Sequence, residues 1–236
     1  MFRWGGKKGS NPEVTPGGST IYRYPESEWS QTPIGHTGKS TIDLVRARDE
    51  VYQHRFGEAN RVFHEMPSFI PHIDVMEYYR SGDDGKVCVL VTSGMSDFAM
   101  TVPSSTGASR RVELIFYCAE TSAKYADTLR LLAHFPHDQK TWIGASHTIP
   151  NGNPPSLMWG SASLDTFLLL PPIVKKDQDL QEELILDGDG VEFLWVVPLT
   201  TAECNLKLEQ GIDAILDLFQ KNRHPYVFTG DRASYV

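Results

Sequence analysis

Apolar and polar positions alternate along this chain in two rhythms, and each predicts a different element. From Thr41 to Phe56, Ile42, Val45, Tyr52 and Phe56 recur at near-helical spacing and Gly57 follows as a left-handed terminator, so a helix is predicted there; Ser40 with Asp43 looks like the acidic relative of a capping box. Arg61 to Met66 and His72 to Tyr79 then read at period two, and Ser81 to Gly85 turns the chain into an apolar run, Lys86 to Thr92. After a loop from Ser93 to Gly107, Arg110 to Ala119 reads as a strand. Ser122 to Phe135 returns to helical period through Tyr125, Leu129 and Leu132, with Pro136 expected to end it. His137 to Ser163 is too rich in turn residues to hold either rhythm and reads as a long loop, a class that is usually functional. Phe167 to Leu170, Glu183 to Leu186 and Val191 to Val197 read as strands. A last helix opens on the capping box Thr200-Thr-Ala-Glu203 and runs to about Asn222.

This order predicts an α+β single domain: a mixed, largely antiparallel sheet covered by helices. A doubly wound parallel sheet would need a helix after nearly every strand. Residues 1–35, rich in Gly, Pro, Ser and Thr, bury too little surface to offset their own ordering and are expected to form a flexible arm, leaving 36–236 as the domain.

Composition narrows the function classes. With 236 residues and 40% hydrophobic content, the chain is long enough for a real core. A formal net charge of −8 argues against a nucleic-acid partner, whose phosphates need clustered Lys and Arg, and suits a basic protein partner. Cys88, Cys118 and Cys204 are odd in number and set in apolar or helical context, as expected of buried thiols in a reducing compartment. The longest apolar stretch, 167–174, is interrupted by Pro171 and Pro172, and the first ten residues carry charge without an apolar core behind them. The expectation is therefore a cytoplasmic protein with no membrane association.

Three constellations could carry chemistry. Gly35-His-Thr-Gly38-Lys39-Ser40 imitates a phosphate-binding loop, but Pro33 stands where the first glycine belongs and no buried strand precedes it, so a helix cap is the reading. His134, His137, Asp138 and His147 form a ligand set of the zinc or iron type; the alternative is that they serve the end of a helix and anchor the loop, and no metal or other cofactor is assigned. Ser93, Ser96 and Asp97 with His72 or His147 could be assembled into a hydrolase, yet no Gly-x-Ser-x-Gly elbow exists, and no catalytic residue is assigned. Met66, Met76, Met95, Met100 and Met158 could line an adaptable surface or simply fill a core, and Trp142 and Trp159 flank the long loop as candidate anchors.

Leu90-Val-Thr-Ser-Gly-Met-Ser-Asp-Phe-Ala-Met100, read with Arg111-Val-Glu-Leu-Ile-Phe-Tyr-Cys118 and Phe193-Leu-Trp-Val-Val-Pro198, resembles the suppressor of fused family over residues 36–228, in its single-domain, bacterial form. The resemblance implies a non-enzymatic protein-binding module. Some of its compact bacterial relatives are proposed as immunity proteins that neutralise toxins, and its animal member is a signalling regulator that sequesters a transcription factor. It also places Ser146 where the animal protein carries a peptide-contacting acidic residue. Contact with a toxin or regulatory protein is expected at the exposed turn and loop, through Ser96, Asp97, Phe98, Trp142, Ser146, His147 and Asn151.

Overall fold

The computed structural model describes residues 13–24, 41–82 and 85–236. The candidate phosphate loop at 35–40, the Ser40 cap and turn residues 83 and 84 lie outside them. A short hairpin, β1 (Glu13–Val14) and β2 (Thr20–Ile21), precedes α1 (Thr41–Phe56). There follow β3 (Arg61–Phe63), β4 (Asp74–Gly82), β5 (Gly85–Ser93), β6 (Arg111–Cys118), α2 (Ala123–Asp138), β7 (Thr148–Pro150), β8 (Leu164–Leu170), α3 (Lys175–Gln178), α4 (Leu180–Glu183), β9 (Ile185–Leu186), β10 (Asp189–Thr200), α5 (Thr201–Gln210) and α6 (Ile212–Lys221).

The main sheet runs β3-β4-β5-β6-β10-β8-β7, with β9 paired to β10 beside this path. All its pairings are antiparallel except β6 with β10, which is parallel. The architecture is therefore the single-domain, mixed and largely antiparallel sheet that the element order predicts. Side-chain alternation explains why its central strands read as continuous apolar runs. Cys88 and Leu90 face one layer with Leu129, Leu132 and Ala133 of α2, whereas Val87, Val89 and Val91 face the other with Tyr52 and Phe56 of α1 and Ile215 and Phe219 of α6. A sheet covered on both faces has no polar side to alternate with.

Several local expectations are corrected. Pro136 does not end α2: the helix continues to Asp138 with Pro136 buried inside its last turn, where the missing N–H costs a single helical bond and packing outweighs it. The C-terminal helix is two helices, broken at Gly211 (φ 92°). Glu183 closes α4, leaving only Ile185 and Leu186 as strand. The strand from Arg61 stops at Phe63, because Glu65 turns inward to accept the backbone N–H groups of Phe69 (3.1 Å) and Ile73 (3.2 Å). The long loop holds the edge strand β7. On α1, Tyr52 and Phe56 are buried but Ile42 and Val45 are exposed, and the first fully buried side chain of that face is Arg48. Among the described residues, no helix is long and apolar enough to cross a membrane.

Candidate functional site

The turn after β5 is held from below by a carboxylate. Glu113, midway along β6 and fully buried, accepts from Thr92 Oγ1 (2.6 Å), the Gly94 N–H (3.0 Å), the Ser96 N–H (3.0 Å) and Ser96 Oγ (2.6 Å). Burial pushes the Glu113 carboxyl up, against the pull of Arg48 and of the Ser96 and Thr92 hydroxyls. Arg48 reaches the same turn from α1, pairing with the Asp97 carboxylate and donating to Ser93 Oγ (3.2 Å). Arg111 closes the far side, donating to the carbonyls of Ser96 (2.6 Å) and Asp97 (3.0 Å) and to Asp187 (2.8 Å). Charges of alternating sign thus lock one backbone turn between a helix and two strands, with Arg111 Nε, 3.5 Å from the Asp189 carboxylate, left without a hydrogen bond.

This geometry separates the candidate hydrolase groups. Ser96 is 0% exposed and its hydroxyl is committed to Glu113. Asp97 is committed to Arg48, and His72 lies beside Asp74 (3.1 Å) and Glu65 (3.5 Å). Phe98, 45% exposed, is the part of the turn that reaches solvent. The candidate metal ligands are also apart: His134 pairs with buried Glu65, His137 bonds the Met95 carbonyl (3.0 Å), and His147 packs on Trp142. Among the described residues, no three His, Cys, Asp or Glu side chains converge on one point. Met95, Met100 and Met158 are core residues, and Trp159 packs against Phe116, Tyr125, Phe167 and Phe228 while its indole N–H donates to Thr128 (2.9 Å).

Trp142, Ser146 and His147 come together in a second place, a groove of ≈ 680 Å³. One wall is β7, the last strand of the sheet, with the segment before it. There the Trp142 and His147 rings meet at 4.3 Å between centroids, and Ser146, at φ 67°, donates its N–H to the Leu169 carbonyl (2.7 Å). Asn151 sits just past the strand, where its side chain donates to the Ser156 carbonyl (2.6 Å). The facing wall is α5, through Cys204, Lys207 and Leu208, continued by Ile212. The third wall is the β1–β2 hairpin and Tyr22 to Tyr24.

That hairpin docks by close backbone approach: the Gly17 N–H donates to the Leu208 carbonyl (2.8 Å), and a Cβ on Gly17 would meet the carbonyls of Lys207 (2.7 Å) and Leu208 (2.8 Å). Tyr24 bonds Thr141 (2.6 Å) and sets its ring edge-on to Phe135 (5.3 Å). Within the groove, burial pushes the His147 imidazole down to about 4, with the Lys207 charge adding to it, so the ring is neutral at pH 7. Burial also lowers the Lys207 ammonium and raises the Cys204 thiol.

Arg48, Glu113, Lys207 and the hairpin escape a reading by pattern. The signal that could have found Glu113 is a lone charge inside an otherwise apolar strand; for Arg48 it is helical phase, one turn before Tyr52.

A model of the family described as Suppressor of fused protein (SUFU) matches residues 70–233. No curated protein matches the chain in sequence. Among solved structures, a suppressor of fused homologue from Neisseria gonorrhoeae aligns with a TM-score of 0.60 at 19% identity, over 83% of this chain and 98% of that one. A chain of the Sufu-Fu complex aligns at 0.56 and 13% identity, over 82% of this chain and 91% of that one. Drosophila Suppressor of Fused aligns at 0.52 and 13%, over 81% of this chain and 50% of that one. At these identities the likeness is one of fold.

Proposed function

The chain belongs to the suppressor of fused family, and on that premise we propose that it is a non-enzymatic protein-binding module whose groove beside β7 receives an extended segment of a protein partner. The observation that carries this reading is the placement of β7. It pairs with β8 alone among the described strands, and Thr148, Ile149 and Pro150 line the groove together with Trp142 and His147. A strand at the end of a sheet offers unpaired backbone groups to an incoming chain, while alternate side chains of that chain enter flanking pockets. Trp142 supplies the rigid aromatic contact area on which such interfaces concentrate their energy. Support also comes from the family itself, since one structure of this fold is that of the Sufu-Fu complex. The net charge of −8 suits a partner of opposite sign, a basic toxin included, because complementary charge speeds encounter.

The turn around Ser93 to Asp97 has a supporting part in this reading. The Ser96 hydroxyl is spent on Glu113 and the Asp97 carboxylate on Arg48, and Phe98 is the residue the turn offers outward. The test is capture of a partner from the native host, reconstitution with the purified partner, and hydrogen exchange on the complex. Protection of the Thr148 amide, the one N–H of β7 that faces away from β8, and weakening by Trp142→Ala are expected. A complex that protects another face overturns the groove assignment, and a bait that recovers no stoichiometric partner counts against the module itself.

A further inference from the structure

Four basic side chains are buried among the described residues: Arg48, Arg111, His134 and Lys207. Three of them face a carboxylate, Arg48 that of Asp97, Arg111 that of Asp187 and His134 that of Glu65. Lys207 is 5% exposed and has no ion pair or side-chain hydrogen bond with any described residue, although it lines the groove. Its charge reaches His147 and Cys204, which line the same space. Asp165, the carboxylate felt by Cys204, is engaged by the hydroxyls of Thr166 (3.1 Å) and Thr201 (2.5 Å). An ammonium with little access to water and no anion beside it is unfavourable, and a bound anion relieves it.

We infer that Lys207 is the cation of a carboxylate-binding subsite, and that its ligand is the side-chain carboxylate of an Asp or Glu carried by the partner's segment in the groove; this rests on the reading given above. One lysine matches one negative charge. The guanidinium that also lines the groove, Arg23, is already paired with Glu13 (2.7 Å), and the chain's overall charge of −8 repels polyanions. His147, neutral at pH 7, is an uncharged neighbour able to complete the hydrogen bonding of a carboxylate without competing for the lysine. The resulting specificity is an acidic residue at one position of a segment that is otherwise neutral or basic. An uncharged residue there would leave Lys207 buried and unpaired, which is the stronger source of discrimination.

The test uses the full chain labelled with ¹³C at lysine Cε, with the Lys207 signal assigned through Lys207→Met. Three probes are titrated at constant ionic strength: sodium acetate, and two end-blocked heptapeptides of alternating Thr and Val with a central Glu or a central Gln. The Glu peptide is expected to bind about tenfold or more tighter than the Gln peptide and to move the Lys207 signal. In Lys207→Met, a variant of equal length that keeps its thermal midpoint, the two peptides are expected to bind alike. Equal binding of both peptides to the native protein overturns the carboxylate subsite and leaves the groove reading standing. An acetate shift at Lys207 with neither peptide bound supports the subsite and overturns its use by an extended segment. A Lys207 signal unmoved by all three probes overturns the inference.

Discussion

Gly94→Ala tests the claim that the turn after β5 is held rigid by its surroundings. Gly94 sits at φ 122° and ψ −16°, a region that L side chains rarely adopt, and placing one there costs about 1–3 kcal/mol in strain. A Cβ would also overlap the carbonyl oxygen of His72 and stand 3.1 Å from its carbon and 3.4 Å from Ile73 Cα. These are backbone atoms with little freedom to retreat: the Ile73 N–H is bound to Glu65 (3.2 Å) and its carbonyl to Arg130 (3.1 Å). Moving the turn instead breaks the charged hydrogen bond from the Gly94 N–H to Glu113 (3.0 Å), worth about 1–3 kcal/mol. The expected loss is about 3–5 kcal/mol, a large share of the about 5–15 kcal/mol by which a domain is stable. Urea unfolding at pH 7 measures it against Gly107→Ala, where φ is 64° but nothing lies within 4 Å, so that only the backbone cost of about 1–2 kcal/mol applies. Equal midpoint shifts for the two variants would refute the reasoning, because they would show that the His72 segment yields.

Gly17→Ala is expected to release the β1–β2 hairpin from α5 while leaving the unfolding free energy within about 0.5 kcal/mol of native; faster hydrogen exchange confined to residues 13–24 is the readout. Glu113→Ala, which orphans two buried N–H groups and removes a counter-charge from Arg48, is expected to cost about 3–5 kcal/mol in urea unfolding. His224 is pushed down to about 4 by burial, so the unfolded chain takes up its proton first and stability is lost as pH falls from about 6.5 to about 4, by at most about 3 kcal/mol. His224→Phe keeps the ring stacked on Phe219 (4.0 Å) and should flatten that part of the acid limb relative to native, whereas an unchanged slope would mean that the imidazole is already solvated.

The parts of this fold legible in the sequence are those whose signal is local. The boundaries of α1, the β4–β5 hairpin and the Thr200–Glu203 capping box follow from side-chain period and a few short hydrogen bonds, and all three stand in the structure. What escaped are elements decided by distant contacts. Pro136 continues a helix because its ring is buried, and Gly211 divides one because the hairpin passes over it. Of the expected contact residues, Trp142, Ser146 and His147 share a groove, Asn151 adjoins it, and Phe98 is exposed on the turn where Ser96 and Asp97 are engaged internally. Lys207 carries no signal of its own, since period alone cannot tell a solvated charge from one turned into a cavity.

The one parallel pairing of the sheet bears on how the protein reaches its fold. β6 meets β10 in a register that joins Arg111 to Val191, 80 residues later. The strands from β3 to β6 each pair antiparallel with their predecessor in sequence, so this half is expected to assemble early. The outer edge of β6, in a strand with every residue buried in the finished fold, then waits for a partner emerging from synthesis several seconds later. During that interval the protein is most exposed to pairing with another nascent copy of itself. Refolding yield that falls with protein concentration, and that recovers when a peptide spanning 189–200 is added in excess, would be the mark of this vulnerable edge.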